Sequence, residues 1–281
     1  MTIKNYMKKL SHKLQDDLKR QALNIRRDII TISAKAGSTH IGSLLSTVDI
    51  LTALYFDILR IDPKKPNNSN RDRFILSKGH GCLGLYCTLA NRGFISKKIL
   101  NEYCKDGSTL PIHPVRGSVP GIEATTGSLG HGLGMGLGLA LARKRDNESG
   151  RVFVLLSDGE CDEGSTWEAV MLAGHLKTDN LIAIVDYNKI QCYGHVKDIL
   201  DLEPFTDKWR ANGWEAIEVN GHKFEELIPA LRSIPSQVGK PTVIIAHTAR
   251  GKGVPSMENK LEWYYYNIKS ENLDKILAEL I

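Results

Sequence analysis

From about residue 150 onward, short and largely apolar segments alternate with helical segments, and this pattern restricts the fold most. The strand-like segments of this region are 152–156, 181–185, 214–219 and 242–246, with helical segments near 163–176 and 223–233. A helix near 47–59 and a short strand at 73–76 are predicted ahead of them. Strands that are apolar on both faces are typical of parallel sheets covered by helices on each side. The sequence therefore predicts an α/β fold with a doubly wound, mostly parallel sheet and helices on both faces.

Polar residues follow two of the predicted strands at the point where each strand ends. Asp158 follows the first and Asn188 follows the second, 30 residues later, which is about the length of one strand–helix–strand unit. If the strands are neighbours, a carboxylate and an amide oxygen meet at the edge of the sheet where ligands of such folds bind. Mg²⁺ takes only one or two protein oxygens when phosphates supply the rest. The pair predicts a Mg²⁺–diphosphate site; in the alternative, Asp158 caps a helix and Asn188 forms a turn.

A glycine-rich run, 125–140, has glycine at 127, 130, 132, 134, 136 and 138. Each glycine costs a helix about 1 kcal/mol, so the run indicates close approach of a ligand or of another backbone. A dinucleotide-binding loop is disfavoured, because no clear strand leads into the run and no acidic residue follows at the required distance. A tightly packed helix at a subunit interface remains the alternative.

Four histidines lie in loops of small residues: His40, His80, His113 and His131. Histidines in glycine- and proline-flanked loops can line a polar pocket that donates hydrogen bonds to hydroxyl or phosphate oxygens. The alternative is that each has a structural role.

Charge and cysteine content narrow the possible partners and compartment. The net charge of +5 comes from residues 1–27, which hold eight Lys and Arg against two Asp, so the remaining chain offers no continuous basic track for nucleic acid. Apolar residues at helical spacing in this segment favour a helix docked on the domain over a membrane-surface helix. The five scattered cysteines indicate thiols rather than disulfides or zinc ligands. From the reduced cysteines we expect a cytoplasmic protein, and from the charge distribution we expect neither a membrane nor a nucleic acid as partner.

Several ordered motifs together resemble transketolase, in its N-terminal, diphosphate-binding half. They are RDRFILSKGH (71–80), HPVRGSVPGIEATTGSLGHG (113–132), SDGECDEG (157–164), AGHLKTDNLIAIVDYNKI (173–190) and GKPTVIIAHTARGKG (239–253). The resemblance implies a thiamine diphosphate enzyme that transfers a two-carbon ketol group from a ketose to an aldose, with sugars or sugar phosphates as substrates. It implies a single diphosphate-binding domain over 1–281 with an N-terminal helical extension.

The resemblance also assigns site residues. Asp158, Asn188 and the main-chain carbonyl of Ile190 would ligate Mg²⁺, for which Ca²⁺ or Mn²⁺ could substitute. The cofactor-binding residues would be His80, Gly127, Leu129, Gly159, Glu160 and Asn188, and the catalytic residues would be His40, His80 and His113. His131 stands where the family often has Gln.

The motifs end before the family's pyrimidine-binding domain. We therefore expect a separate C-terminal subunit to supply that domain and the following one, in a heterotetramer with two copies of each chain. Tyr264 stands where the family usually has His, which favours a specialised ketol transfer because a phenol is a poor proton shuttle near neutral pH. The alternatives are the alpha-type subunit of a 2-oxo acid dehydrogenase and a non-catalytic paralogue.

Overall fold

Five parallel strands form the central sheet of the computed structural model, which describes residues 10–280. Their order is β1-β2-β3-β7-β6, and a separate two-stranded antiparallel ribbon consists of β4 and β5. The strands are β1 (Arg73–Leu76), β2 (Val152–Ser157), β3 (Leu181–Tyr187), β4 (Ile190–Gln191), β5 (Gly194–His195), β6 (Glu215–Asn220) and β7 (Thr242–His247). The predicted parallel sheet is confirmed, and each predicted strand lies within one or two residues of its observed bounds.

Helices cover both faces of the sheet, as predicted. They are α1 (His12–Ala36), α2 (Ile41–Ser46), α3 (Val48–Ala53), α4 (Cys82–Arg92), α5 (Gly132–Arg145), α6 (Gly164–His175), α7 (Val196–Ile199), α8 (Phe205–Ala211), α9 (Phe224–Arg232) and α10 (Leu273–Ala278). The single helix predicted near 47–59 is instead α3 followed by a π-helical turn, Leu54–Ile58.

Two apolar cores lie on opposite faces of the sheet. Alternate residues of β2 divide between them: Phe153 and Leu155 join one core with α1 to α4 and α9, whereas Val152 and Val154 join the other with α5, α6 and α8. Since every strand residue of β2 and β3 is buried, neither strand can alternate apolar with polar residues. This double burial is why unbroken apolar runs identified the strands.

Helix α1 packs its apolar stripe into the first core. Leu18, Ala22, Ile25 and Ile29 are buried, and Ser11 caps the helix by accepting a hydrogen bond from the backbone N–H of Leu14. The docked-helix interpretation therefore holds for this helix, while residues 1–9 of the basic segment lie outside the described residues. Between residues 10 and 280, no helix combines the length and apolar character that a bilayer crossing requires. All five cysteines are free thiols, as predicted.

The glycine-rich run divides into a loop and helix α5. A Cβ atom at Gly136 would overlap Cγ2 of Val154 on β2, so glycine lets this helix lie directly on the sheet. Gly138 is on the exposed side, where a Cβ atom would meet nothing within 4 Å. The predicted tight packing is thus present on the sheet side of α5; a subunit interface on its exposed side stays a prediction.

Two alanine substitutions in α5 should have opposite effects on stability. We expect Gly136→Ala to lower the free energy of unfolding by about 2 kcal/mol through overpacking against Val154. Gly138→Ala, the matched control, should raise it by about 1 kcal/mol, because alanine is the better helix former and its methyl group meets no neighbour. Urea unfolding of the chain measures both values, and equal shifts would contradict the packing described.

Candidate functional site

The loops after β2 and β3 meet at the carboxyl edge of the sheet. The two strands pair in parallel with Ser157 beside Asp186, which places Asp158 next to the loop that carries Asn188. Oδ2 of Asp158 accepts a hydrogen bond from the backbone N–H of Lys189 at 2.6 Å. Its Oδ1 accepts from the N–H of Gly159 at 2.8 Å, so Asp158 also caps the turn that follows. The predicted convergence of the two loops is confirmed.

Three oxygen-bearing groups lie around this junction. Asn188 is buried, and its Oδ1 accepts from the backbone N–H of Ile190 at 3.1 Å. The carbonyl of Ile190 accepts from Nη1 of Arg250 at 2.9 Å. Together with Asp158, these groups offer one carboxylate, one amide oxygen and one main-chain carbonyl, which are hard oxygen donors suited to Mg²⁺.

The electrostatics of Asp158 favour a bound cation. Burial, with the nearby Asp186 carboxylate, raises the pKa of Asp158 to about 7. A divalent cation would stabilise the charged form that burial disfavours. Over residues 10–280 no cluster of three or more His, Cys, Asp or Glu side chains could hold a metal alone. The donor set therefore fits a cation that receives further ligands from a bound phosphate group.

Arg250, which the sequence analysis missed, supplies a buried positive charge beside these oxygens. It is 2 % exposed, and its Nε and Nη2 have no hydrogen-bond partner among the described residues. Its guanidinium stacks on the Tyr264 ring, 4.6 Å from the ring centroid. Unpaired buried donors cost about 1–3 kcal/mol each, and an anion in the adjoining cavity would satisfy them. The residues present thus fit both halves of a metal–diphosphate group.

A small cavity of about 70 Å³ joins these groups. It is lined by Ser43, His80, Leu129, Ser157, Asp158, Gly159, Asn188, Ile190, Gln191, Cys192, Arg250 and Tyr264. Drug-sized ligands occupy cavities of roughly 300–1,000 Å³, so the chain can enclose only part of a cofactor the size of thiamine diphosphate. The predicted metal-binding groups and His80, Leu129 and Gly159 all line this one cavity.

Three of the four singled-out histidines come together beside the cavity. The rings of His40 and His80 are 5.6 Å apart, and His80 shares a hydrogen bond of 3.0 Å with the hydroxyl of Ser43. The ring of His113 packs on Gly127, where a Cβ atom would lie 3.1 Å from its Cδ2. His131 is exposed and lines a separate groove with Met135 and Leu172.

Glu160 braces the glycine loop from inside the protein. It is fully buried, and its Oε1 accepts hydrogen bonds from the Gly130 N–H at 2.9 Å and from the hydroxyl of Ser77. Its Oε2 accepts from the N–H of Ser157 at 3.3 Å. Both oxygens are therefore used within the protein, so Glu160 shapes the loop that carries Gly127 and Leu129.

Burial keeps the clustered histidines neutral. It lowers the pKa of His40 from 6.5 to about 4, with Arg250 adding to the effect, and it lowers the pKa of His80 well below its usual value, helped by Lys78. Burial also lowers the pKa of His113. Near pH 7 these rings can donate and accept hydrogen bonds without carrying charge.

The low pKa of His40 predicts a loss of stability in mild acid. Between pH 6.5 and about 4 the unfolded chain binds a proton at His40 that the folded chain does not, so stability falls as pH falls through this window. Between pH 7 and pH 5 we expect His40 to lower the free energy of unfolding by about 1 kcal/mol. This value is smaller than the full pKa difference would give, because the ring is partly exposed to solvent. Urea unfolding at both pH values should show a smaller loss in His40→Asn, which keeps a residue that tolerates the positive φ found there. His195→Asn, at an exposed ring, is the control; equal losses in His40→Asn and the unsubstituted chain would contradict the assignment.

Comparison with known proteins places this chain in a family. The family model described as "Transketolase, thiamine diphosphate binding domain" matches residues 18–279. An apulose-4-phosphate transketolase subunit from Phocaeicola vulgatus is 42% identical over 265 residues, with 94% of each chain covered. A 6-deoxy-6-sulfo-D-fructose transketolase subunit from Clostridium sp. is 40% identical, covering 95% of this chain and 97% of its own length.

Longer transketolases match over part of their length. The human transketolase is 37% identical over 279 residues, which are 99% of this chain and 44% of the human one. The crystal structure of transketolase from Campylobacter jejuni superposes with a TM-score of 0.86 at 33% identity, covering 93% of this chain and 42% of that one. The chain thus spans less than half of these proteins and nearly all of the subunits named above. It belongs to the transketolase family, through the thiamine diphosphate binding domain.

Proposed function

We propose that this chain is the diphosphate-binding subunit of a split transketolase, which transfers a two-carbon ketol group from a ketose donor to an aldose acceptor. The observation that carries the proposal is that Asp158, Asn188, Ile190, His80 and Arg250 line a single cavity. The full-length match to proteins named as transketolase subunits supports the division of the enzyme into two chains.

The metal would lie between the loops after β2 and β3. Asp158, Asn188 Oδ1 and the Ile190 carbonyl would bind Mg²⁺, or Ca²⁺ or Mn²⁺ in its place, with the diphosphate and water as the other ligands. Arg250 donates from Nη1 to the Ile190 carbonyl, and its Nε and Nη2 have no hydrogen-bond partner within residues 10–280, so these two nitrogens would donate to the diphosphate. The cation held by these oxygens and the guanidinium of Arg250 would thereby balance the negative charge of the diphosphate on two sides.

The other cofactor contacts come from the glycine loop and the sheet edge. His80, Gly127, Leu129 and Gly159 would lie against the diphosphate and the ring that follows it. A Cβ atom at Gly79 would lie 2.8 Å from the backbone N of Gly127, so this close approach keeps the loop against the end of β1. When bound, thiamine diphosphate supplies the carbanion stabilisation that ketol transfer requires.

Neutral side chains would handle the sugar. His40 and His113 lie beside the cavity and can hydrogen-bond the hydroxyl groups of the donor. The Tyr264 ring packs edge-on against the His40 ring, with the two ring centroids 4.9 Å apart. The backbone carbonyl of Tyr264 accepts a hydrogen bond from the backbone N–H of His40 at 3.1 Å. Tyr264 would therefore hold His40 in place and border the donor, while its phenol contributes a hydrogen-bond donor rather than a proton shuttle.

A second subunit would complete the site. The cavity of about 70 Å³ encloses too little space for the whole cofactor, so the pyrimidine end needs another covering surface. We propose a C-terminal subunit with the pyrimidine-binding domain, two copies of each chain in a heterotetramer, and a cytoplasmic location. Residues 1–281 would form one domain in this assembly, with the N-terminal helix docked on it.

Reconstitution with the C-terminal subunit tests the function. The complex, supplied with Mg²⁺ and thiamine diphosphate, should transfer the ketol group of hydroxypyruvate or a ketose phosphate to an aldose, and neither chain should do so by itself. A simple or branched 2-oxo acid that lacks a hydroxyl group next to its oxo carbon should not serve as donor. Turnover of such an acid would favour the dehydrogenase alternative, and absence of any turnover would favour the non-catalytic paralogue.

A further inference from the structure

A fully buried ion pair lies behind the candidate metal site. Nζ of Lys78, two residues after the end of β1, is 2.6 Å from Oδ2 of Asp186 on β3, and both side chains are 0 % exposed. Nζ also donates to the Ser43 carbonyl at 3.3 Å. Burying two charges is expensive, and such a pair often stabilises a fold no better than apolar residues would. Its position at the ligand-binding edge of the sheet suggests a role in the site.

Asp186 gathers donors from four segments that border the cavity. Its Oδ2 accepts from Lys78, from the hydroxyl of Ser46 at 2.7 Å and from Nδ2 of Asn188 at 3.1 Å. Its Oδ1 accepts from the hydroxyl of Thr248. These donors lie after β1, in α2, after β3 and after β7. One carboxylate thus connects the loop of Asn188 to the helix that follows His40.

The contact with Asp186 fixes which end of the Asn188 amide faces the cavity. An amide has one accepting oxygen and one donating NH₂ group, and only the oxygen can bind a cation. Because Nδ2 donates to Asp186, Oδ1 points to the opposite side, where it accepts from the Ile190 N–H. A flipped amide would place NH₂ toward the cation and lose the hydrogen bond to Asp186.

Lys78 determines how Asp186 can act. With its charge balanced by Lys78, and with Ser46 and Thr248 donating to it, Asp186 is an acceptor for the Asn188 amide. Without Lys78, a second unbalanced carboxylate would stand two residues from Asn188 and attract the cation itself. More carboxylate oxygens in a looser site favour Ca²⁺, which takes six to eight oxygens, over the strictly octahedral Mg²⁺.

We propose that Asp186 is a positioning residue for the metal site, which holds Asn188 Oδ1 toward the cation, and that Lys78 keeps Asp186 out of the coordination shell. This inference rests on the metal site of the proposed function and deepens it. In this inference the buried pair determines which cation binds and how tightly it binds, and neither residue contacts the substrate.

Metal titrations of the reconstituted two-subunit complex test the assignment. With thiamine diphosphate in excess, Mg²⁺ and Ca²⁺ are titrated separately by calorimetry. We expect Asp186→Asn to weaken Mg²⁺ binding by about 10- to 100-fold, the usual effect of losing a partner that orients a metal ligand. Lys78→Met should shift the ratio of Ca²⁺ to Mg²⁺ affinity at least about tenfold toward Ca²⁺.

Asp72 provides the matched control, since it is another buried carboxylate held by cations. It pairs with Arg60 and Arg151 at the start of β1, at the opposite edge of the sheet. Asp72→Asn should lower thermal stability and leave Mg²⁺ affinity within about twofold of wild type, because it orients no metal ligand. A purely structural role for Asp186 would make Asp186→Asn behave in the same way, with an unchanged metal affinity and metal preference.

A milder variant keeps the test decisive if Asp186→Asn fails to fold. Thr248→Val removes one donor to Asp186 at constant shape, and we expect about threefold weaker Mg²⁺ binding; wild-type affinity there would overturn the inference. If cofactor binding by the wild-type complex depends on the metal and Asp186→Asn has the same Mg²⁺ affinity as wild type, the positioning role is overturned and the proposed function stands. A wild-type complex without metal-dependent cofactor binding would overturn the proposed function and this inference with it.

Discussion

Asp158→Ala should abolish metal-dependent binding of thiamine diphosphate, with an affinity loss of at least about 100-fold in the reconstituted complex. Asp158 is the one carboxylate of the proposed ligand set, so its removal leaves an amide and a carbonyl oxygen that hold no negative charge for the cation. Calorimetric titration of the cofactor with saturating Mg²⁺ measures the change.

Asp179→Ala is the control for this variant. Asp179 accepts from the N–H of Gly239 and pairs with Lys144 ahead of β3, away from the cavity. Its loss should leave cofactor affinity unchanged. Equal affinities of wild type and Asp158→Ala for the cofactor in Mg²⁺ would refute the metal assignment.

Arg250→Met should change stability and cofactor affinity in opposite directions. Without the cofactor, Arg250 is a buried cation whose Nε and Nη2 find no hydrogen-bond partner in the part of the chain that the structure describes, so we expect its replacement to raise the free energy of unfolding by about 1–3 kcal/mol. Thiamine diphosphate affinity should fall about 10- to 100-fold, because charge-assisted hydrogen bonds to the diphosphate are lost. Affinity for thiamine, which lacks the diphosphate, should not change.

Arg143→Met separates this effect from the loss of a buried arginine in general. Arg143 is also buried, but it donates to the carbonyls of Ser69, Arg71 and Gly150 and pairs with Glu148. Its replacement should lower stability and leave cofactor affinity intact. Unfolding of the separate chain and titration of the complex give the two readouts. Arg250→Met with lowered stability and normal affinity would show that Arg250 is a packing residue.

The sheet was predictable because its central strands β2 and β3 are buried on both faces and therefore consist almost entirely of apolar residues. The segments 152–156 and 181–185 contain no polar residue. Their separation, the length of one strand–helix–strand unit, was enough to predict that the loops of Asp158 and Asn188 are neighbours, as the pairing of β2 with β3 shows. The order of the strands could not be predicted from the sequence, because the last strand of the chain, β7, lies between β3 and β6 in the sheet. That insertion brings the loop with Thr248 and Arg250 to the cavity.

The buried charges of the site could not be predicted for the same reason. Lys78 and Asp186 are 108 residues apart and meet only because β1, β2 and β3 are neighbours. An arginine in a glycine-flanked loop after the last strand was the one sequence signal for Arg250. His131 shared the loop context of the other histidines, yet it lies at the start of α5 on an exposed surface. Loop composition therefore predicted a pocket of histidines, but it could not distinguish the three that come together from His131.

Titration of thiamine diphosphate into the wild-type complex of this chain with its C-terminal subunit tests the central claim most directly. The titration is made once with Mg²⁺ and once with a chelator of divalent cations. Saturable binding with Mg²⁺, lost in the chelator and absent for either chain by itself, is the predicted result. Equal binding with and without the metal, or full binding by this chain alone, would contradict a metal–diphosphate site completed by a second subunit.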